Sequence, residues 1–175
     1  GLTTLPLELP ELSALTELQI DDPGMQCRVQ IDSATSMTVR GSHAITSAGT
    51  VTTLARLSRE RRLPTLVWSG LQLGDGGAQQ LVQELAAGDE PSAVTSLDLR
   101  QNGLTTLPLE LLKLPALTEL QINDLGMQCR MQIDSATSMT VRGSHAITSA
   151  GTVTILARLA RKRRLPDRKS TRLNS

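Results

Sequence analysis

Aromatic side chains are almost missing from this chain: its 175 residues hold one Trp and neither Phe nor Tyr. That removes the stacking platforms that readers of single-stranded nucleic acid need, and it leaves the core to be built from aliphatic side chains. Cysteine and histidine are equally sparse, at two each, too few to build a disulfide framework or several closed zinc sites. No apolar run approaches the roughly 18 residues that suggest a membrane-spanning helix. Neither sign of charge dominates, since 18 Lys and Arg face 17 Asp and Glu. The electrostatic footprint of a nucleic-acid or anionic-membrane binder is therefore absent. No Asn-x-Ser/Thr acceptor with a permitted middle residue occurs, which fits an intracellular protein, and a cytoplasmic location is expected.

What is present is repetition. Residues 1–64 return at 103–166 with a fixed offset of 102 and nine differences, among them Asp21/Asn123, Val29/Met131 and Thr53/Ile155. Each difference needs only one base change, so the likeness records a recent duplication, and matching positions say nothing about what function held fixed. A self-similar chain of this kind stacks its copies into an elongated body. Gly1 has its twin in Gly103, inside a structural unit, so the protein is expected to extend upstream. Past Pro166 the second copy departs from the first into DRKSTRLNS, which resembles one translated frame of a sequencing adapter. Residues 167–175 are accordingly set apart as a non-native tail, and without them the net charge falls from +1 to −1. Two origins stay open for the array itself: a genuine duplication, or an assembly product whose uncapped ends would favour end-to-end self-association.

The clearest internal unit runs through Val94, Leu97, Leu99, Asn102 and Leu104, with the spacing L-x-x-L-x-L-x-x-N-x-L. Leu97 and Leu99 are expected to point inward from a short strand, with Asn102 turning inward to bond backbone groups that a bending chain leaves unpaired. Downstream, Leu104, Leu107, Leu111, Leu114, Leu117 and Leu120 recur about every three residues, which suits a tight 3₁₀ return path. Elsewhere the period changes. Ala78, Leu81, Val82 and Leu85 stand at i, i+3, i+4 and i+7, one apolar helix stripe. A looser helix is expected from Gly49 through Arg62 after a strand at Met37–Val39. Strand starts at Leu18, Met37, Leu66, Leu97, Leu120 and Met139 give spacings of 19, 29, 31, 23 and 19. In the 19-residue units, 24–36 and 126–138 leave little room for a helix. Alternation of Met25, Cys27, Val29 and Ile31 suggests extended chain there, and an irregular turn is expected.

These patterns resemble the leucine-rich repeat family over nearly all of residues 2–166, most closely at 94–122 and at 66–85, where the unit is similar to the ribonuclease-inhibitor type. The resemblance implies an α/β solenoid over residues 1–166, a curved horseshoe with a parallel strand ladder on its concave face and helices and 3₁₀ turns on its convex face. It also implies a protein-binding scaffold, one piece of a larger protein, with no cofactor and no catalysis, whose partner is an unidentified protein and not nucleic acid or membrane. By the family pattern, the concave contact face comprises Gln19, Asp21, Asp22, Thr38, Arg40, Val67, Ser69, Asp98, Arg100, Gln101, Gln121, Asn123, Asp124, Thr140 and Arg142. An alternative within the same resemblance is a regulatory module that activates small GTPases or senses ligands as immune receptors do.

Other chemistry is weak. Cys27 and Cys129 occupy one position in two copies, four strands apart on the expected ladder, about 19 Å, well beyond the approximately 7 Å reach of a disulfide; both are expected as free thiols. His43 and His145 face the same objection as metal ligands. Ser42 beside His43 lacks a G-x-S-x-G elbow and an orienting carboxylate. Gly74 to Gly77 lacks the G-K-[ST] ending of a phosphate loop and reads as a strand-to-helix turn with Asp75 as helix cap. Arg56, Arg59, Arg61 and Arg62, mirrored at Arg158, Arg161, Arg163 and Arg164, read as a basic helix end on a solvated surface. Trp68 reads as core.

Overall fold

The structure is a computed structural model. It describes residues 5–6, 8–12, 14–22, 25–32, 35–41, 45, 47–124, 127–135, 138–142, 155, 157–159 and 161; at 21, 22, 25, 123, 124, 127–130, 132–135 and 138–142 the backbone alone is described. Eight strands form one sheet in sequence order. They are β1 (Glu17–Asp22), β2 (Met25–Asp32), β3 (Ser36–Gly41), β4 (Thr65–Val67), β5 (Ser96–Asp98), β6 (Glu119–Asp124), β7 (Met127–Ser135) and β8 (Ser138–Arg142). Two helices, α1 (Ala48–Glu60) and α2 (Gly74–Ala86), and two 3₁₀ turns, Leu9–Glu11 and Leu109–Lys113, follow in the chain, and the described residues 155, 157–159 and 161 are helical as well. The chain is of mixed α/β class.

All six expected strands are present, and two more separate them. β3 through β6 pair in parallel, whereas β1–β2–β3 and β6–β7–β8 are antiparallel meanders. The uninterrupted parallel ladder is thus corrected at both ends; the extended chain suggested by the alternation of Met25, Cys27, Val29 and Ile31 is present as β2, and β2 and β7 are paired strands where an irregular turn was expected. The physical reason is length: β1 ends at Asp22 and β3 begins at Ser36, a connection at the lower limit of a parallel crossover and too short to hold a helix of several turns with its two loops, and the chain fills it with a hairpin strand. β2 alternates accordingly: Cys27, Val29 and Ile31 are buried while Arg28 and Gln30 are exposed.

The longer units do carry helices. In α1 the buried Val51, Leu54, Ala55 and Ser58 stand at i, i+3, i+4 and i+7, after a Ser47 cap whose hydroxyl accepts from the Thr50 N–H. In α2 the buried set is the expected Ala78, Leu81, Val82 and Leu85. The helical elements pack side by side: the first 3₁₀ turn against α1, α1 against α2, and α2 against the second 3₁₀ turn. Their apolar faces meet the inward strand residues Met37, Val39, Leu66, Leu97 and Leu120 in one core, and Trp68 is fully buried within it, as expected. Each such aliphatic side chain contributes about 1.5–3 kcal/mol by leaving water.

Asn102 holds the turns together. Its side chain is wholly buried. Its amide donates to the Trp68 carbonyl at 2.6 Å and the Leu99 carbonyl at 3.0 Å, and its oxygen accepts from the Leu71 N–H at 3.1 Å and the Leu73 N–H at 3.4 Å. Gln101 and Gly103 on either side are left-handed, with φ of 58° and 70°, which reverses the chain twice within three residues and leaves Asn102 facing in. For Gly103 that conformation carries no Cβ penalty.

Asp75 has a different part from the one expected. The first turn of α2 has no side-chain cap; the Asp75 carboxylate reaches across to the next unit, accepting from the Thr105 N–H at 2.8 Å, the Thr106 N–H at 3.1 Å and the Thr105 hydroxyl. Partial burial pushes its pKa up, but these hydrogen bonds outweigh that and hold the carboxyl below its ordinary value. Of the arginines at the end of α1, Arg59 and Arg61 are held by backbone carbonyls, whereas Arg62 stays on the solvated surface. Arg59 donates to the Glu84 and Ala87 carbonyls at 3.1 and 3.0 Å, where α2 ends, and so complements the neighbouring helix dipole. Arg61 donates to the Leu15 and Leu12 carbonyls, and Arg62 pairs with Glu90.

Two outcomes follow from these bonds. Asn102→Ala strands two N–H and two C=O groups in the core and is expected to lower unfolding free energy by about 3 kcal/mol; Asn102→Leu, which restores the volume, is expected to lose as much, measured by urea denaturation. Asp75→Ala removes the hydrogen bonds to Thr105 and Thr106 and is expected to cost about 1 kcal/mol at pH 7. Because the folded carboxyl sits below its unfolded value, that contribution is complete above the ordinary carboxylate range and disappears as pH falls through the folded value. The gap between wild type and variant should therefore close below about pH 4 in urea melts taken at successive pH values.

Candidate functional site

The sheet has one face turned to the helices and one that no described helix covers. Residues on the uncovered face line up by register. One row crosses the sheet from Glu17 through Gln30, Thr38, Val67, Asp98, Gln121 and Arg130 to Arg142. A second begins with Gln19, Arg28 and Arg40 on β1, β2 and β3. Gln19 and Arg40 are exposed, and Thr38, Val67, Ser69 and Gln121 are half-buried. Asp21, Asp22, Asn123, Asp124, Thr140 and Arg142 belong to strands of this sheet, but their side chains lie outside the described residues.

Two of the face residues expected to make contacts are already engaged with each other. Asp98 is 5% exposed. Arg100 lies along it, its Nε 2.9 and 3.0 Å from the two carboxylate oxygens and its Nη2 2.6 Å from one, while the Arg100 N–H also donates to Asp98 at 3.0 Å. The hydrogen bonds and charge of Asp98 raise the Arg100 pKa further. Asp98 is thus a holder of Arg100, and only the outer side of that guanidinium, 49% exposed, faces solvent. Gln121 donates to Glu119 at 3.1 Å, and Glu119 also accepts from the Ser96 hydroxyl at 3.1 Å. Gln101 is exposed at the end of the β5 turn.

The sequence does not place Arg28, Gln26 and Gln30 on the contact face, because the extended chain suggested there was not assigned to the sheet. Their signal was present: they are the polar half of the Met25, Cys27, Val29, Ile31 alternation. Arg28 stands directly opposite Arg40, and its guanidinium pairs with Glu17. Together with Gln19 and Gln26 the two arginines line an open cleft of about 320 Å³ on the uncovered face. A second cleft of about 330 Å³ lies at the helix ends, where Arg59, Arg62, Glu60 and Glu90 bring both signs of charge together.

Cys27 is a free, buried thiol, and burial pushes its pKa up, away from the thiolate a nucleophile needs. β2 and β7 are five strand steps apart, about 24 Å, one step more than expected because each copy carries the extra strand; Cys129 lies at its β7 twin position. His43, His145, Ser42 and Ser144 lie outside the described residues. Among the described residues no group of three or more His, Cys, Asp or Glu could hold a metal ion, and no described helix is long and apolar enough to cross a membrane.

Since Arg100 compensates a buried carboxylate, Arg100→Ala is expected to destabilise the fold by about 1–3 kcal/mol. Asp98→Ala/Arg100→Ala together should lose less than the sum of the single changes, read as a double-mutant cycle by denaturation. Additive losses would mean the pair is not coupled. Compared with family models, with curated proteins and with solved structures, the chain matches none.

Proposed function

We propose that this chain is a protein-binding scaffold of the leucine-rich repeat kind, in which the central parallel strands and their helices form part of a curved solenoid and the uncovered sheet face receives the partner. The observation that carries the reading is the division of the two sheet faces. Helices and 3₁₀ turns stack along one face, with Asn102 wedged under the turns. The other carries a row of mainly polar residues in register from β1 to β6, Glu17, Gln30, Thr38, Val67, Asp98 and Gln121. A broad, shallow, polar surface fits a protein partner better than a small substrate, which favours an enclosed, largely apolar pocket. Apolar anchors are few on this face, Val67 being the central one, so electrostatic complementarity is expected to supply much of the specificity.

The test is positional. Photo-crosslinking residues placed at Thr38, Val67 and Gln121 in cells that express the protein are expected to capture a common partner, while the same residues at Gln79 and Gln83 on the outer side of α2 are not. Capture from the α2 positions alone would place the contact surface on the helices and overturn the reading.

A further inference from the structure

We propose that the end of the sheet formed by β1 and the first 3₁₀ turn is a docking surface for a partner polypeptide, a helix–loop–strand unit built like residues 74–99, whose strand adds parallel to β1 and whose helix lies against the turn. This surface is separate from the sheet face. It is recognised from two sites that share a sequence and differ in burial. Residues 14–20 and 116–122 are identical, and Leu12 has its twin in Leu114. In the second copy Leu114, Leu117, Leu120 and Ile122 are at most 2% exposed. In the first copy Leu12 is 54% exposed, and Leu15, Leu18 and Ile20 are only partly buried.

The neighbour makes the difference. In the second copy β6 pairs in parallel with β5, and α2 packs against the second 3₁₀ turn. In the first copy β1 ends the sheet, and no described strand lies beyond it. The backbone repeats the contrast. The Glu119 N–H donates to the Thr95 carbonyl at 2.9 Å, and the Gln121 carbonyl accepts from the Leu99 N–H at 2.9 Å. The Thr16 carbonyl accepts from the Ile31 N–H, so by the alternation of an antiparallel pair the even residues of β1 bond β2, while Glu17 and Gln19, twins of Glu119 and Gln121, turn their backbone groups to the open edge. Such an edge is a template for an added strand, whose main-chain bonds supply affinity and whose apolar side chains supply specificity. Stacked units bury their core only against neighbours, and α2 with β5 shows which kind of neighbour fits these leucines. A second copy of this chain does not offer that unit, because its own α2 and β5 are already covered by its second 3₁₀ turn and β6.

The experiment adds a fluorescent synthetic peptide of residues 74–102, which carries the sequences of α2 and β5 and Asn102, to the full chain and reads binding by anisotropy. The peptide is expected to bind, and a scrambled peptide of the same composition is not. Leu12→Glu should weaken binding at least about 10-fold, the loss expected when a leucine buried in the complex is replaced by a charge. The variant should melt with wild type, since Leu12 is exposed in the free chain. Leu109→Glu serves as control: Leu109 stays 50% exposed although α2 packs on its turn, so its substitution should leave binding unchanged. Methylating the Leu99 nitrogen of the peptide removes the donor to the Gln19 carbonyl and should also weaken binding. Failure of the peptide to bind overturns the proposal. Equal binding by wild type and Leu12→Glu overturns it as well, and would mean that the peptide exchanges with the protein's own α2 and β5. Concentration-dependent dimers of the chain alone that Leu12→Glu abolishes would assign the surface to a second copy and overturn the partner named above.

Discussion

Everything in the central part of the fold depends on satisfying the backbone where parallel strands end. A chain that leaves a parallel strand for a helix on the same side must bend, and the bend turns N–H and C=O groups into the core, where an unpaired one costs about 1–3 kcal/mol. Asn102 answers two donors and two acceptors with one side chain. Its own carbonyl accepts from the Gly74 N–H, where α2 begins. Few side chains other than a carboxamide combine both kinds of partner at this reach. The residues it joins, from Trp68 to Gly74 and Leu99 to Asn102, set the spacing between β4, β5 and α2, and hence the seat of the whole helical layer.

Length decides where that solution gives way. Units of 29, 31 and 23 residues have enough chain to return by a helix or a 3₁₀ turn, and their strands are parallel. Units of 19 have no room for a helix like α1, and they fold back as hairpins that widen the sheet by one strand in each copy. Widening has a chemical consequence. An extra antiparallel strand brings its outward residues into line with those of its neighbours, and so Arg28 comes to face Arg40. Elsewhere the charges serve the fold. Arg59 and Arg61 tie neighbouring units by donating to backbone carbonyls, Asp75 spans the next turn, and Asp98 and Arg100 hold each other. Half of the basic cluster that looks like a surface patch in the sequence, Arg59 and Arg61, is taken up by these bonds, and Arg56 and Arg62 stay in surface ion pairs.

Much of the architecture was legible before folding. The 3.6-residue stripe of α2 and the inward pair Leu97 and Leu99 follow from local periodicity, because burial of a helix or strand face imposes that spacing whatever lies opposite. The role of Asn102 could be read because no other polar residue type at that point in the pattern explains itself as well. Asp75 could not be placed in the same way: a carboxylate near a helix start has its own N–H groups within reach, and only the position of the Thr105 turn, 30 residues later, makes another set of donors available. β2 and β7 alternated as strands do, yet pairing needs a partner, and nothing in the alternation specifies one.

The sequence by itself determined the repeat, the aliphatic core, the six strands at the starts of the units and the stripe of α2, all of which depend on short-range spacing and on the free energy of removing apolar surface from water. Tertiary structure alone decided which strands run antiparallel, which arginine meets which carbonyl or carboxylate, and that Arg28 stands beside Arg40. Those are matters of register, and register is set by where distant segments come to rest against a common core.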